Sequence, residues 1–203
     1  MKYFFTSILF FISTVLFSQK SSTLTVKIDS LKKLGRDSLI KLAVKKLNKS
    51  GFDAKAYDRI TVKATTTSLV VEFSLSVKFS SATSCYYHKV TIALVGDGNG
   101  NNVQGDCTEP KFYKLTAEEE KKVDFVFKSI NNSDEIGHVP NNKLNDETTM
   151  EISEKADHYY VEVSSWSTYS HYKVDKLSGK ISEANHKHFD RSGYEKPDYE
   201  IIK

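Results

Sequence analysis

A strict two-residue spacing of apolar side chains constrains the fold of this chain more than any other sequence feature. Six apolar side chains occupy every second position of one segment: Leu69, Val71, Phe73, Leu75, Val77 and Phe79. In a β-strand, this spacing places all six side chains on one face of a sheet. We therefore predict one long, half-buried strand over residues 69–79, with one face of its sheet covering a hydrophobic core.

Other patterns in the first half predict a helix and further strands. Apolar residues at three- and four-residue spacing predict a helix over residues 37–51, with Asp37 as its N-cap and Gly51 as its terminator. A short helical turn is expected before it, around residues 31–34. Residues 60–62 begin a strand, and a second alternation predicts another strand over residues 86–94. The Gly- and Asn-rich residues 96–102 predict the turn that follows.

The second half opens with a helix start signal. Thr116 and Glu119 form a T-x-x-E capping box. The apolar stripe of the predicted helix follows, with Val123, Val126, Phe127 and Ile130 at helical spacing. Strands are then predicted from residue 150, over residues 159–163 and from residue 172, with a turn at residues 178–179.

The two halves therefore show the same order of predicted elements. At an offset of 90 residues, Ile60 aligns with Met150 and Val71 with Val161, and the helical stripes align at an offset of 83. Shared order at a fixed period is typical of a tandem repeat, although unrelated α+β chains also show this order by chance. We predict an α+β fold of two related units, each a helix packed on an antiparallel sheet of about three strands. The units are residues 19–110 and residues 111–203.

The N-terminus resembles a bacterial secretory signal peptide. Met1 and Lys2 give a positive start, an apolar run follows over residues 3–17, and Ser18 supplies a small residue for cleavage. The alternative is an uncleaved membrane anchor, but the run is short because a spanning helix needs about 20 residues. We predict a signal peptide over residues 1–18 and export to the periplasm or the extracellular space. No membrane span is expected after cleavage.

The charge of the remaining chain argues against a nucleic-acid partner. Residues 19–203 contain 28 basic and 26 acidic side chains, a net charge of +2. A dedicated nucleic-acid binder carries a much stronger basic excess. The charge is uneven, with +6 on residues 19–110 and −4 on residues 111–203. The halves therefore attract each other or present different faces to partners.

Two cysteines remain in the mature chain, Cys85 and Cys107. An exported chain meets an oxidising compartment, so we predict a single disulfide between them. In the chain-entropy model such a bridge stabilises the fold by roughly 3 kcal/mol. The alternative, a thiol nucleophile, needs a nearby base that one sequence does not reveal.

No catalytic signature is visible, and we predict a non-enzymatic protein without a cofactor. The sequence contains no nucleophile elbow, no H-E-x-x-H motif and no phosphate-binding glycine loop. A weak calcium candidate is present, because Asp97, Asn99 and Asn101 place oxygen ligands at alternate positions. The bidentate glutamate of such a loop is missing, since Thr108 stands at the twelfth position. A plain hairpin turn is the simpler interpretation.

Two further polar patterns have a functional and a structural interpretation. His186 and His188 would share one strand face, as in a transition-metal pair, but two ligands do not complete a site and a polar tail explains them equally. Lys41, Lys45 and Lys49 recur every four residues on the first helix. This basic stripe suits an anionic partner, although a solvated face near a helix C-terminus explains it more simply.

Aromatic side chains crowd the last predicted hairpin and form the candidate binding site. We assign partner binding to Tyr160, Trp166, Tyr169 and Tyr172. Aromatic residues on a sheet face hold peptides or stack on sugars, and they are enriched among residues that dominate binding. The alternative is that the other unit covers this face.

One segment carries a family resemblance. The run from Tyr172 to Ile181, with Asp175 before a Ser178–Gly179 turn, resembles the end of a PepSY-type module. The overall layout is similar to cystatin-type helix-on-sheet folds, which include secreted inhibitors and small immunity proteins. The first half departs from this pattern around Cys85, and the inhibitory Gln-x-Val-x-Gly loop of cystatins is absent. The resemblance implies a non-catalytic exported module that binds or restrains another protein.

These observations favour an exported binding protein that recognises a protein or peptide. The aromatic hairpin or the edge of the long strand would contact that partner. An inhibitor or immunity-type antagonist of a hydrolase is the alternative within binding functions. A hydrolase of cell-envelope material is the alternative from another class.

Overall fold

The computed structural model describes residues 24–82, 86–98, 100–104, 111–112, 115–132, 148–165, 168–188 and 199–203. The fold is α+β, as predicted, and these residues form three α-helices and two sheets. The helices are α1 (residues 24–32), α2 (Arg36–Lys49) and α3 (Ala117–Asn131), with a short 3-10 turn at Ala54–Ala56. The strands are β1 (Arg59–Ala64), β2 (Leu69–Ser74), β3 (Val77–Ser80), β4 (Tyr86–Val95), β5 (Gly100–Gln104), β6 (Lys111–Phe112), β7 (Thr149–Glu154), β8 (His158–Ser164), β9 (Thr168–Asp175), β10 (Ile181–His188) and β11 (Glu200–Ile201).

The strands form two mixed sheets. The first sheet has the order β11-β1-β2-β4-β5, and β6 pairs in parallel with the start of β4. The second sheet has the order β10-β9-β8-β7-β3, in which only β3 and β7 are parallel. β3 precedes the predicted boundary at residue 110 and lies in the second sheet, whereas β11 follows that boundary and lies in the first. The two sheets therefore exchange strands across the boundary between the predicted units.

The prediction of one continuous strand over residues 69–79 is wrong at Leu75 and Ser76. Leu75 N still donates to His88 O in β4 at 3.2 Å, but Ser76 O accepts from Met150 N in β7 at 2.8 Å. The carboxylate of Asp58 holds the crossing point by accepting hydrogen bonds from the backbone N of Ser76, at 2.8 Å, and from its hydroxyl. The backbone therefore changes sheets here while the two-residue spacing of its apolar side chains continues.

Each sheet covers its own hydrophobic core. The first core takes Val71 and Phe73 from β2 and is closed by α1 and α2, which contribute Ile28, Leu39 and Leu47. The second core takes Phe79 from β3, together with residues of β7, β8 and β9, and is closed by α3. Because the alternation spans the crossing point, its first four apolar residues pack in one core and Phe79 packs in the other.

The two main helices begin differently. The predicted capping box of α3 is confirmed, with Thr116 Oγ1 accepting from Glu119 N at 3.2 Å and Glu119 Oε2 accepting from Thr116 N at 2.8 Å. The predicted N-cap of α2 at Asp37 is wrong, because Gly35 takes that position at φ 76° without a side-chain hydrogen bond. Asp37 lies in the first turn instead, where its charge favours the helix dipole.

The first hairpins of the two sheets have the same register. Val62 pairs with Val71 in β1–β2, and Ile152 pairs with Val161 in β7–β8, at the predicted offset of 90. The turns match as well, since Thr65 N donates to Ser68 O at 2.8 Å and Lys155 N donates to His158 O at 2.9 Å. The two hairpins therefore have the same length and the same pairing.

Candidate functional site

The candidate binding surface lies on the face of the second sheet opposite α3. Strand alternation turns Tyr159 and Val161 of β8 into the core and leaves Tyr160 and Glu162 on the other face. On β9, Tyr169, His171 and Lys173 occupy that same face, because Lys173 pairs with Tyr160 and His171 with Glu162. We call these five residues the tyrosine face.

The rings of the tyrosine face contact one another. Tyr160 stacks on His171 with ring centres 5.8 Å apart and an interplanar angle of 29°. Tyr169 lies against the same imidazole at 6.1 Å, with the rings tilted by 59°. The result is a row of three rings on a half-buried sheet surface, which offers apolar area together with polar edges.

A carboxylate lies beside these rings. The hydroxyl of Tyr169 donates a hydrogen bond to Glu162 Oε1, which lies diagonally across the β8–β9 pair. This hydrogen bond, together with partial burial and the neighbouring Tyr160 hydroxyl, raises the pKa of Tyr169 above its ordinary value. Tyr169 therefore keeps its proton and holds the carboxylate in place.

Charged pairs flank the tyrosine face. Lys173 Nζ lies 3.7 Å from Glu183 Oε1 on β10, and Lys78 Nζ lies 3.8 Å from Glu151 Oε1 on β7. Glu151 is also directly opposite Glu162 across the β7–β8 pair. Two like charges facing each other across a sheet repel, and a cation placed between these two carboxylates would lower that repulsion.

The assignment of Tyr172 to the binding surface needs correction. Tyr172 is buried at 5% exposure in the second core, because it follows Tyr169 by an odd number of residues and so points to the other face. Tyr160 and Tyr169 do lie together, whereas Trp166 is outside the described residues. Sequence reasoning missed Glu162, His171 and Lys173, although counting alternate positions outward from Tyr160 and Tyr169 identifies them.

On the corresponding face of the first sheet, the central carboxylate is paired with lysines. Glu72, the residue equivalent to Glu162 at the offset of 90, lies between Lys63 Nζ at 3.1 Å and Lys89 Nζ at 3.6 Å. Near this face, the imidazole of His88 is half-buried, and its Nδ1 has no hydrogen-bond partner in the described part of the chain. Burial, reinforced by the charges of Lys78 and Lys89, lowers the pKa of His88 to about 4.

A groove of about 480 Å³ lies between the end of α2 and strand β4. Its wall contains Lys46, Lys49 and Phe52, together with the backbone of β4 around Ala93. Lys46 Nζ donates a hydrogen bond to Ala93 O at 2.8 Å, so this lysine ties the helix to the sheet. The lining residues include no histidine and no carboxylate among the residues described, and a hydrolytic acid–base pair is therefore not part of this groove.

The predicted cation ligands and cysteines are only partly described. Asp97 is exposed in the turn between β4 and β5, whereas Asn99 and the side chain of Asn101 are outside the described residues, as are Cys85 and Cys107. Over the ranges that the structure covers, no three histidine, cysteine, aspartate or glutamate side chains converge on a common metal position. The calcium site and the disulfide stay predictions.

Within the same ranges, none of the helices combines the length and the hydrophobicity needed to cross a bilayer. Comparison of the chain with protein-family models, with curated proteins and with solved structures gives no match, so a functional assignment depends on the geometry of the surface itself.

Proposed function

We propose that this chain is a non-enzymatic binding protein that recognises a protein or peptide partner through the tyrosine face. The observation that carries the proposal is the stacked Tyr160–His171 pair next to a carboxylate held by Tyr169. These groups lie on an open sheet surface, and binding needs such a surface, whereas hydrolysis needs an enclosed acid–base pair.

The chemistry of the face defines the partner. The ring row favours an aromatic or proline side chain, and the juxtaposed Glu151 and Glu162 favour a lysine or an arginine beside it. The partner segment therefore carries a cation close to a planar apolar side chain. This description fits a protein surface or an extended peptide better than a neutral glycan.

We also propose that the partner is met outside the cytoplasm and that Cys85 and Cys107 are paired. The signal-like residues 1–18 support export. Cys85 directly precedes Tyr86, and Tyr86 pairs with both Gln104 and Lys111, the residues that flank the connection containing Cys107. Intact mass of the secreted chain after alkylation without reductant tests both points. A chain that begins at Met1 or carries two alkylated thiols would contradict them.

The shared register of the two first hairpins supports the further proposal that the chain contains two related units. If so, the units have kept one architecture and diverged on their outward faces. The tyrosine face then belongs to the second unit alone, since Glu72 of the first unit is enclosed by two lysines.

A peptide-display selection against residues 19–203 tests the proposed function. We expect the selected peptides to combine arginine or lysine with an adjacent aromatic residue or proline. Their affinity should fall at least tenfold with Tyr160→Ala, because aromatic residues dominate binding at such surfaces. It should also fall with Glu162→Gln, which removes the charge but keeps the shape of the side chain.

Glu72→Gln is the matched control, because this residue occupies the equivalent position of the first sheet. It should leave peptide affinity unchanged. Circular dichroism spectra identical to that of the parent chain would show that each variant is folded. Equal binding by the parent chain, Tyr160→Ala and Glu162→Gln would overturn the proposal, as would a failure to select any peptide.

A further inference from the structure

We propose that His186 and His188 form an exchangeable binding site for a borderline divalent transition metal such as Cu²⁺ or Zn²⁺. Both residues lie on β10, an edge strand of the second sheet whose residues from Ser182 to His188 are exposed. Residues two positions apart on a strand share one face. The two imidazoles therefore project together into solvent.

The ring geometry suits one shared metal ion. The ring centres of His186 and His188 are 5.8 Å apart and the rings are nearly perpendicular, at 88°. An imidazole nitrogen binds Zn²⁺ at about 2.0–2.1 Å, which places two ring centres on one metal roughly 4.5–6 Å apart. The observed separation falls in this interval, so the two rings are close enough for one ion to bind both.

One of the two rings is already oriented by a buried group. The Nδ1 atom of His186 is hydrogen-bonded to Ser170 Oγ at 2.6 Å, and Ser170 is only 5% exposed. This bond uses Nδ1 and leaves Nε2 as the second ring nitrogen of a residue that is exposed. Partners of this kind fix the orientation of a ligating imidazole and strengthen metal binding.

The intervening lysine does not oppose a bound cation. Lys187 lies on the other face of β10, where it pairs with Tyr169. The histidine pair and the tyrosine face are thus on opposite sides of the second sheet. Metal binding is consequently independent of partner recognition, and the two proposals can fail separately.

Two imidazoles leave further coordination positions for water or for a group from another molecule. Borderline divalent ions accept imidazole readily, with Cu²⁺ bound more tightly than Zn²⁺. Because only two protein ligands are supplied, we expect weak, exchangeable binding rather than a permanent structural ion.

Imidazole ¹H–¹⁵N correlation spectra of the full chain during a Zn²⁺ titration test the site directly. We expect the Nε2 signals of His186 and His188 to shift together, with a dissociation constant in the micromolar range and one ion per chain. His186→Ala and His188→Ala should each weaken binding at least tenfold. Ser170→Ala should weaken it less, through loss of ring orientation.

Two control variants separate this site from general metal affinity. Lys187→Ala removes the neighbouring charge and His171→Ala removes an imidazole from the opposite face, and neither should change the dissociation constant. Zn²⁺ affinity that survives the double variant His186→Ala/His188→Ala would overturn the proposal. A titration in which other histidines shift first would also overturn it.

Discussion

The β1–β2 hairpin of the first sheet and the β7–β8 hairpin of the second pair their residues in the same register, yet their outward faces carry different chemistry. In the first sheet, Glu72 is neutralised by Lys63 and Lys89. In the second, Glu162 is held by Tyr169 and faces Glu151. The first face pairs its carboxylate with two lysines, whereas the second places two carboxylates opposite each other beside aromatic rings.

This difference shows that one hairpin register accommodates two different surface chemistries. The inward positions of both hairpins contain buried apolar and aromatic residues, since packing against a helix restricts them. The outward positions are free of that restriction and therefore differ in chemistry between the two hairpins. Substitutions that act on the cores, on the sheet junction and on the helix ends test how far the two halves behave alike.

The largest effect is expected from the two buried phenylalanines. Phe73→Ala in the first core and Phe79→Ala in the second should each lower the free energy of unfolding by about 3–5 kcal/mol, because both side chains are fully buried. Since β3 and β11 cross between the sheets, we expect a single unfolding transition for both variants. Urea unfolding followed by circular dichroism, with hydrogen exchange of each sheet, measures this effect.

Leu177→Ala is the control for that comparison, because Leu177 is 95% exposed and its loss should not change stability. If Phe79→Ala reduced hydrogen-exchange protection only in β7–β9, the sheets would unfold separately. The comparison would then concern two independent units rather than one cooperative fold.

A smaller effect is expected from His88, which lies close to the junction of the sheets. Its pKa of about 4 in the folded chain is below the ordinary value of 6.5, so the unfolded chain binds the proton first. The contribution of His88 to stability should therefore be constant above pH 6.5 and fall as the pH is lowered towards 4. Because the ring is half exposed, solvent screens part of the effect, and the loss is smaller than the full pKa shift implies. We expect the free energy of unfolding to fall by about 1–2 kcal/mol.

Chemical unfolding at a series of pH values, with and without His88→Gln, measures this contribution. In His88→Gln, the free energy of unfolding should fall less between pH 6.5 and 4 than in the parent chain. In His171→Gln, on the tyrosine face, it should fall as much as in the parent chain. An unchanged slope in His88→Gln would mean that other groups cause the acid sensitivity.

The smallest effect distinguishes the starts of the two helices. Thr116→Ala should destabilise the chain by about 1 kcal/mol, because it removes the side-chain cap of α3. Asp37→Ala should cost only a few tenths of a kcal/mol, since Asp37 provides no side-chain cap and acts through the helix dipole and an exposed ion pair with Arg36. Thermal unfolding of both variants measures the difference. Equal losses would indicate that Asp37 also acts as a cap.

Local patterns in the sequence predicted the secondary structure well where short-range physics decides it. The capping box of Thr116 and Glu119 and the buried stripe of α3 follow from contacts within one helical turn. The alternation of β8 predicted the inward positions of Tyr159 and Val161 for the same reason. In each case, the interacting groups are close together in the sequence.

The strand crossing was not predictable because it depends on a distant partner. Nothing in the two-residue spacing changes at Ser76, and the switch results from hydrogen bonds to Asp58 and Met150. The candidate site shows the same limit: Tyr160 and Tyr169 were recognised as aromatic residues, but the role of Glu162 depends on the pairing of β8 with β9. The prediction for Tyr172 is wrong because strand alternation, and not aromatic composition, decides which face of the sheet a residue occupies.

The pairing of β11 with β1 means that the first sheet is completed by the last strand of the chain. Lys63 pairs with Ile201, and Ile202 N donates to Val62 O at 3.0 Å. The ribosome therefore delivers β1 long before the strand that covers its edge, and this edge stays open while the second sheet is made. A purification tag joined after Lys203 would consequently lie next to the first sheet, because β11 pairs with β1 there. From its position in the sequence, one would expect the tag to lie next to the second sheet.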